Sequence, residues 1–221
     1  MRWINEPEWS EEDGKSGVKA IRVEIPGGTD CWRKTRHNMI SDNVPFRYRW
    51  VTGDFEVILH ARTQFTGNYE QAGIMVRENA EVWMTCGFQV FDGQPQASAV
   101  VTRDTSDWSL LPLPETQDSM YFVVKRTKEC VECFYSFDGF EWTQIRQAVL
   151  TEGAKLMVGM YGACPQGDGF EVIFEHFTIK SEDGELDDSD DEGDLAIQDE
   201  VSEEGVGIED EEGVAVEEDE E

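Results

Sequence analysis

Between residues 18 and 180 the chain alternates apolar and polar side chains in short runs, and it shows almost no 3.6-residue stripe of the kind a helix needs. The run 55–65 sets Phe55, Val57, Leu59 and Ala61 against Glu56, Ile58, His60 and Arg62, the pattern of a strand with one face in a core. The same reading predicts strands at 18–25, 46–51, 72–77, 82–91, 97–103, 120–127, 130–137, 141–150, 155–161 and 170–180. Turn chemistry separates them: Gly53-Asp54, Asp92-Gly93, Asp138-Gly139 and Gly167-Asp168-Gly169. About eleven to thirteen strands without intervening helices predict two antiparallel sheets packed face to face.

The segment 81–91 is informative on both faces. Met84, Cys86, Phe88 and Val90 share one side and read as core, while Trp83, Thr85, Gly87 and Gln89 share the other. An indole, a hydroxyl, a backbone gap and an amide in one row suit a partly solvated face that receives a polar ligand. In 170–180, Phe170, Val172 and Phe174 keep one parity and Phe177 and Ile179 the other, which predicts a bulge near Glu175 and His176. This last strand is expected to pair close to the N-terminal strand.

Charge divides the chain. Of 48 acidic residues, 22 fall in 181–221, a stretch without Lys, Arg or an aromatic residue. Such a segment buries too little apolar surface to fold alone, so it reads as a disordered acidic tail behind a folded domain at 1–180. A formal charge of −30 repels phosphates, which argues against nucleic acid and membrane surfaces as partners and leaves a basic protein as a partner for the tail. Ser181, Ser189 and Ser202 precede acids and suit acid-directed phosphorylation. No run of 18 apolar residues occurs. The five cysteines, an odd number set mostly in strand-like runs, suit reduced thiols, which points to the cytoplasm or the nucleus.

Motifs for catalysis are sparse. There is no Gly-rich phosphate loop and no Gly-x-Ser-x-Gly elbow, so neither nucleotide-dependent nor triad chemistry is expected. Cys130 and Cys133 match C-x-x-C, but within a strand those positions point to opposite faces, and His37, His60 and His176 lack ligand spacing. The expectation is therefore no cofactor and no metal. Paired carboxylates for glycoside hydrolysis should stand at i and i+2 or i+4 on one strand, and Glu171 and Glu175 come closest, weakened by the bulge. Ser136, Asp138, Gly139 and Trp142 form a shortened Asp-box turn whose role is mainly local. Ser106, Asp107, Trp108 and Ser109, followed by Pro112 and Pro114, mark a structured loop or edge segment. Trp108 there is the best single aromatic platform for a sugar ring, with Asp107 and Ser106 beside it, and Asp30, Trp32 and Arg33 offer the same chemistry.

Several motifs in one order carry a family likeness. Gln71-Ala72-Gly73-Ile74-Met75-Val76-Arg77, then Trp83 through Asp92-Gly93, Ser106-Asp107-Trp108-Ser109, Tyr135 through Trp142, Arg146 and Cys164-Pro165 resemble the domain of unknown function 1349 family over about residues 18–180. The resemblance implies a concanavalin A-like sandwich of the jelly-roll type. The family also includes a fungal protein named as a regulator of enolase. Many members read Trp-x-Lys-x-Gly-x-Glu on the strand before the Asp-Gly turn, where this chain has Thr85 and Gln89. A charged pair has become neutral, so any ligand preference set by that pair should differ.

The chain thus reads as a non-catalytic binding protein for a saccharide or related metabolite, at Trp83, Gln89, Asp107, Trp108, Arg146, Asp30 and Trp32. A second reading is a regulatory module acting on a metabolic enzyme such as enolase. A third is a glycoside hydrolase.

Overall fold

The structure, a computed structural model, describes residues 1–13, 20–114 and 118–181. The acidic tail and its serines lie outside the described residues, apart from Ser181.

Sixteen strands form among the described residues. They are β1 (Arg2–Ile4), β2 (Ser10–Asp13), β3 (Ala20–Pro26), β4 (Cys31–Arg33), β5 (Ile40–Asp42), β6 (Phe46–Thr52), β7 (Phe55–Thr63), β8 (Gln71–Arg77), β9 (Val82–Phe91), β10 (Gln94–Arg103), β11 (Thr105–Pro112), β12 (Ser119–Thr127), β13 (Cys130–Ser136), β14 (Thr143–Val149), β15 (Lys155–Ala163) and β16 (Gly169–Ser181). One seven-stranded sheet runs β1-β6-β15-β8-β9-β10-β11, the other β14-β13-β12-β7-β16-β3-β2, and all strand pairs within them are antiparallel. The result is the all-β concanavalin A-like sandwich.

The alternating residues do what their period predicts. Val57, Leu59 and Ala61 of β7 meet Phe122 and Val124 of β12 in one core with Met84, Cys86 and Phe88 of β9 from the facing sheet. At roughly 25 cal/mol per Å2 of apolar surface, this core supplies the main drive for the fold. The predicted bulge is present: β16 shifts register against β7 between Glu175 and Thr178, and His176 takes a left-handed φ of 52°. Its bulge puts Ile179 in register with Val57 after Phe174 has faced Ala61, so both halves of the strand send apolar side chains inward. β16 also pairs with β3, as expected of the two ends of the domain.

One expectation is corrected. The face of β9 carrying Trp83, Thr85 and Gln89 is not solvated: these residues are 1%, 1% and 4% exposed. The alternation placed them correctly on the side away from the inter-sheet core. What periodicity within β9 could not show is that the connection between β3 and β6, including the β4-β5 hairpin, lies over that face and seals a second core of Cys31, Val44, Phe46, Tyr48, Met75, Trp83, Val100, Met157 and Tyr161. Cys130 and Cys133 point to opposite faces of β13, the first half-buried and the second fully enclosed, and all five cysteines are free thiols.

Candidate functional site

The covering connection is fastened residue by residue. The Arg33 backbone N–H donates to Ser106 Oγ at 2.9 Å, and its guanidinium donates to the Asp104 carbonyl at 3.2 Å and to Glu81 at 2.9 Å. The Thr35 hydroxyl donates to the Ser106 carbonyl at 2.6 Å, and Arg77 holds the Asp42 carboxylate with both nitrogens. Asp30 is held inside this connection, where its Oδ1 accepts from the Cys31 N–H at 2.8 Å. Burial pushes the Asp30 carboxyl above its ordinary value against that hydrogen bond. Arg33, expected as a sugar contact, is therefore a tether.

Beneath the connection, Gly73 on β8 stands opposite Gly87 on β9. A Cβ on Gly73 would lie 2.2 Å from the Cys86 carbonyl oxygen, so only glycine fits. Tyr161 of β15 stands beside Gly73, and its hydroxyl donates to Gln71 Oε1 at 3.2 Å. Its burial raises the phenol well above its usual range.

The expected binding residues separate into groups. Gln89 and Trp108 do meet: Gln89 Oε1 accepts from Trp108 Nε1 and from Ser98 Oγ, both at 2.9 Å. Trp83 does not join them at the surface, being sealed in the second core against which Trp32 and Trp108 pack. Trp32 and Trp108 meet edge to face at 6.2 Å, and the series continues through Phe91 (5.2 Å) to Tyr69 (5.9 Å from Phe91). Asp107 and Arg146 are paired at 2.6 Å. β11 proves to be the edge strand of its sheet, in keeping with the prolines that close it.

A cleft of about 510 Å3 lies beside Tyr69, lined by Thr63, Phe65, Thr66, Asn68, Val90 and Asp118 among others. No sequence motif pointed to it, because its walls come from the loop after β7 and from strand residues of β7, β9 and β10 that are scattered along the chain.

The turn between β13 and β14 is built as the shortened Asp-box predicts. Asp138 Oδ1 accepts from the N–H groups of Phe140 and Glu141 at 2.8 and 2.9 Å, and Ser136 Oγ accepts from Gly139 at 2.9 Å with Gly139 at φ 78°. The Glu141 and Phe140 N–H groups, then the Ser136 hydroxyl, hold the Asp138 carboxyl below its usual range. From this fixed turn Phe137, Phe140 and Trp142 project with 49%, 86% and 37% of their surface exposed. They are the densest exposed aromatic group among the described residues.

The carboxylates considered for glycoside hydrolysis are engaged elsewhere. Glu171 pairs with Arg22 at 2.8 Å, and Glu175 with His60 at 3.0 Å and Arg62 at 3.2 Å. His60 also contacts Ser119 Oγ through Nε2 at 2.7 Å and stacks on Tyr121 at 4.2 Å. Sequence reading missed this Ser119, His60 and Glu175 cluster, since its members are scattered along the chain; the bulge at His176 was the one local signal of it.

Comparison with known proteins bears on the family and the fold. A relative from Saccharomyces cerevisiae named "Regulation of enolase protein 1" is 26% identical over 178 residues, covering 80% of this chain and 87% of that protein. A crystal structure of a functionally unknown Saccharomyces cerevisiae protein superposes with a TM-score of 0.77 at 24% identity, over 81% of this chain and 95% of that one. A xylan beta-1,4-xylosidase from Bacillus halodurans shares the fold at a TM-score of 0.62 and 16% identity, over 80% of this chain but 35% of the enzyme. The sequence profile of the protein family of unknown function DUF1349 matches residues 3–182, and the chain belongs to that family.

Proposed function

We propose that this chain is a regulatory protein-binding module whose contact surface is the aromatic turn of Phe137, Phe140 and Trp142, and whose partner is a metabolic enzyme of the kind its yeast relative is named for, enolase. One observation carries the reading: three aromatic side chains stand exposed on a turn already locked by Asp138 and Ser136. Aromatic residues are enriched at the centre of protein contacts, and a turn rigid before binding loses little entropy on docking. The module acts by binding and does not turn over a glycoside. The acidic tail adds salt-sensitive attraction to a basic partner surface.

Calorimetric titration with purified enolase tests this. Saturable binding is expected, weakened at least tenfold by Phe140→Asp combined with Trp142→Ala. No binding, or binding indifferent to that pair of changes in a folded variant, overturns it.

A second reading, binding of a saccharide or sugar-related metabolite, is supported by the aromatic series Trp32, Trp108, Phe91 and Tyr69, which ends beside the polar cleft. Aromatic faces cover the apolar side of a pyranose, and the Asp30 and Asp107 carboxylates would accept from its hydroxyls. A thermal-shift panel of sugars and sugar phosphates separates the readings, since the first predicts no shift with any of them.

A further inference from the structure

The solvent-side face of the second sheet carries a cluster that the protein-binding reading does not use. His60 on β7 stands directly opposite Glu175 on β16, while Ser119 on β12 lies two residue pairs along, opposite Arg62 and on the same face. Glu175 Oε2 is 3.0 Å from His60 Nδ1, and Ser119 Oγ is 2.7 Å from His60 Nε2. A carboxylate can only accept, so Nδ1 carries the proton and Nε2 of the neutral ring is left to accept from the Ser119 hydroxyl. That is the hydrogen-bond order of a serine nucleophile, its base and an orienting acid.

Three further observations fit such a role. The Tyr121 ring stacks on the imidazole at 4.2 Å and 19°, which fixes its plane. Arg62 donates to the other Glu175 oxygen at 3.2 Å, so both carboxylate oxygens are held. His176, at the bulge, stands 6.1 Å from His60 and 6.5 Å from Tyr121 and closes the ring group on that side. The groups facing His60 are thus Glu175 and His176 from one neighbouring strand, Ser119 and Tyr121 from the other, and Arg62 on its own. Burial outweighs the attraction of Glu175 and holds the imidazole below its ordinary value, so the ring is a free base at neutral pH.

We propose that Ser119 is an activated nucleophile for small acyl esters, with His60 as its general base and Glu175 as the positioning residue. Ser119 Oγ bonds to the ester carbonyl carbon as its proton passes to His60 Nε2. The bond to the leaving alkoxide then breaks, and that group departs with the proton from Nε2. Water repeats the sequence on the acyl-serine, giving its proton to Nε2; the bond from acyl carbon to Oγ breaks, and Ser119 takes the proton back. One ester and one water give one acid and one alcohol. The proposal is independent of partner binding.

The test uses the full chain and a fluorophosphonate probe, with the adduct mapped by mass spectrometry. A single adduct on Ser119 is expected, absent in Ser119→Ala and formed about a hundredfold more slowly in His60→Gln. Because the carboxylate favours the imidazolium, Glu175→Gln should move the midpoint of the labelling rate against pH to lower pH, which a purely structural role does not do. No adduct, an adduct on another residue, or wild-type labelling in a folded His60→Gln overturns the proposal. Should His60→Gln fail to fold, the wild-type profile decides: a rate that is flat across about pH 5 to 8 overturns it, and one that rises through a single ionisation supports it.

Discussion

Arg146 on β14 and Asp107 on β11 belong to different sheets, yet the guanidinium Nη2 lies 2.6 Å from the Asp107 carboxylate. A second nitrogen of the same group donates to the Ser109 hydroxyl, so one side chain closes the side of the sandwich where both sheets end. On the opposite side Arg47 of β6 reaches Glu12 of β2 in the same manner. Each sandwich edge is thus bridged by an arginine from a strand at or next to the end of its sheet. Asp107 is largely exposed, which keeps the Coulombic gain small.

This sets the expected cost of removing the clamp. The Arg146 Nε is buried without a hydrogen-bond partner, so replacing the whole group by an apolar chain of similar length loses an ion pair and relieves an unsatisfied donor at once. Arg146→Met is expected to stay within about 1 kcal/mol of wild type in urea unfolding, and Arg146→Ala to lose about 1–2 kcal/mol more through its missing stem. A Met variant as unstable as the Ala variant would show that the charge, not the packing, closes this edge.

Gln89 makes a sharper prediction, because it is 4% exposed and its one carbonyl oxygen serves both Ser98 and Trp108. Gln89→Leu keeps the volume, removes the acceptor of the Ser98 hydroxyl and leaves Trp108 Nε1 only its longer bond to Ser98 Oγ at 3.2 Å, at an expected cost of about 1–3 kcal/mol. Trp108→Phe removes the indole N–H with its bonds to Gln89 and Ser98 but leaves the bond between those two in place, and should cost about half as much. Urea midpoints measure both, and Trp108 emission should shift to the red in the Gln89 variant as its N–H turns to water.

The contrast between these residues explains what the sequence discloses. Whether a residue faces the inter-sheet core is written locally: Met84, Cys86 and Phe88 alternate and are buried, and the parity change in 170–180 located the bulge. Whether the other face meets water depends on what the chain lays over it from elsewhere. Trp83 was read on the correct side, but Arg33, Thr35 and Asp42 decide its exposure through bonds to residues 35 to 73 positions away. The short strands β1, β2, β4 and β5 went unrecognised because three or four residues carry too little alternation to register. The Asp-box turn was legible because its bonds lie within five residues, whereas Ser119, His60 and Glu175 meet only through strand pairing.

Asp30 gives a prediction in the stabilising direction. Its carboxyl is raised above the unfolded value of 3.8, with burial as the larger cause and the Cys31 N–H opposing it. A group whose folded pKa is raised contributes stability below its unfolded pKa and loses it as pH rises through the folded one. At neutral pH the ionised Asp30 is therefore a cost. Asp30→Asn keeps the acceptor for Cys31 and removes the charge, so the variant should melt a few degrees above wild type at pH 7, with the gain shrinking as pH falls toward the acid range. An unchanged or lower melting temperature at pH 7 would mean that the carboxylate is better solvated than its burial implies.

His60 shifts the other way for a base, and its effect appears near neutrality. Burial lowers its folded pKa from 6.5, outweighing Glu175, which favours the charged ring. Between the lowered value and 6.5 the unfolded chain binds more protons, so stability rises with pH in that window and is complete above it. Acidifying from pH 7 should therefore lower the melting temperature in a phase that begins near 6.5 and ends at the folded pKa. His60→Gln, which has no proton to gain, should flatten that phase while the carboxylate transition at lower pH persists. Curves that run parallel through this window would show that Glu175 compensates the buried imidazole fully, and that the ring is no freer as a base than any histidine in water.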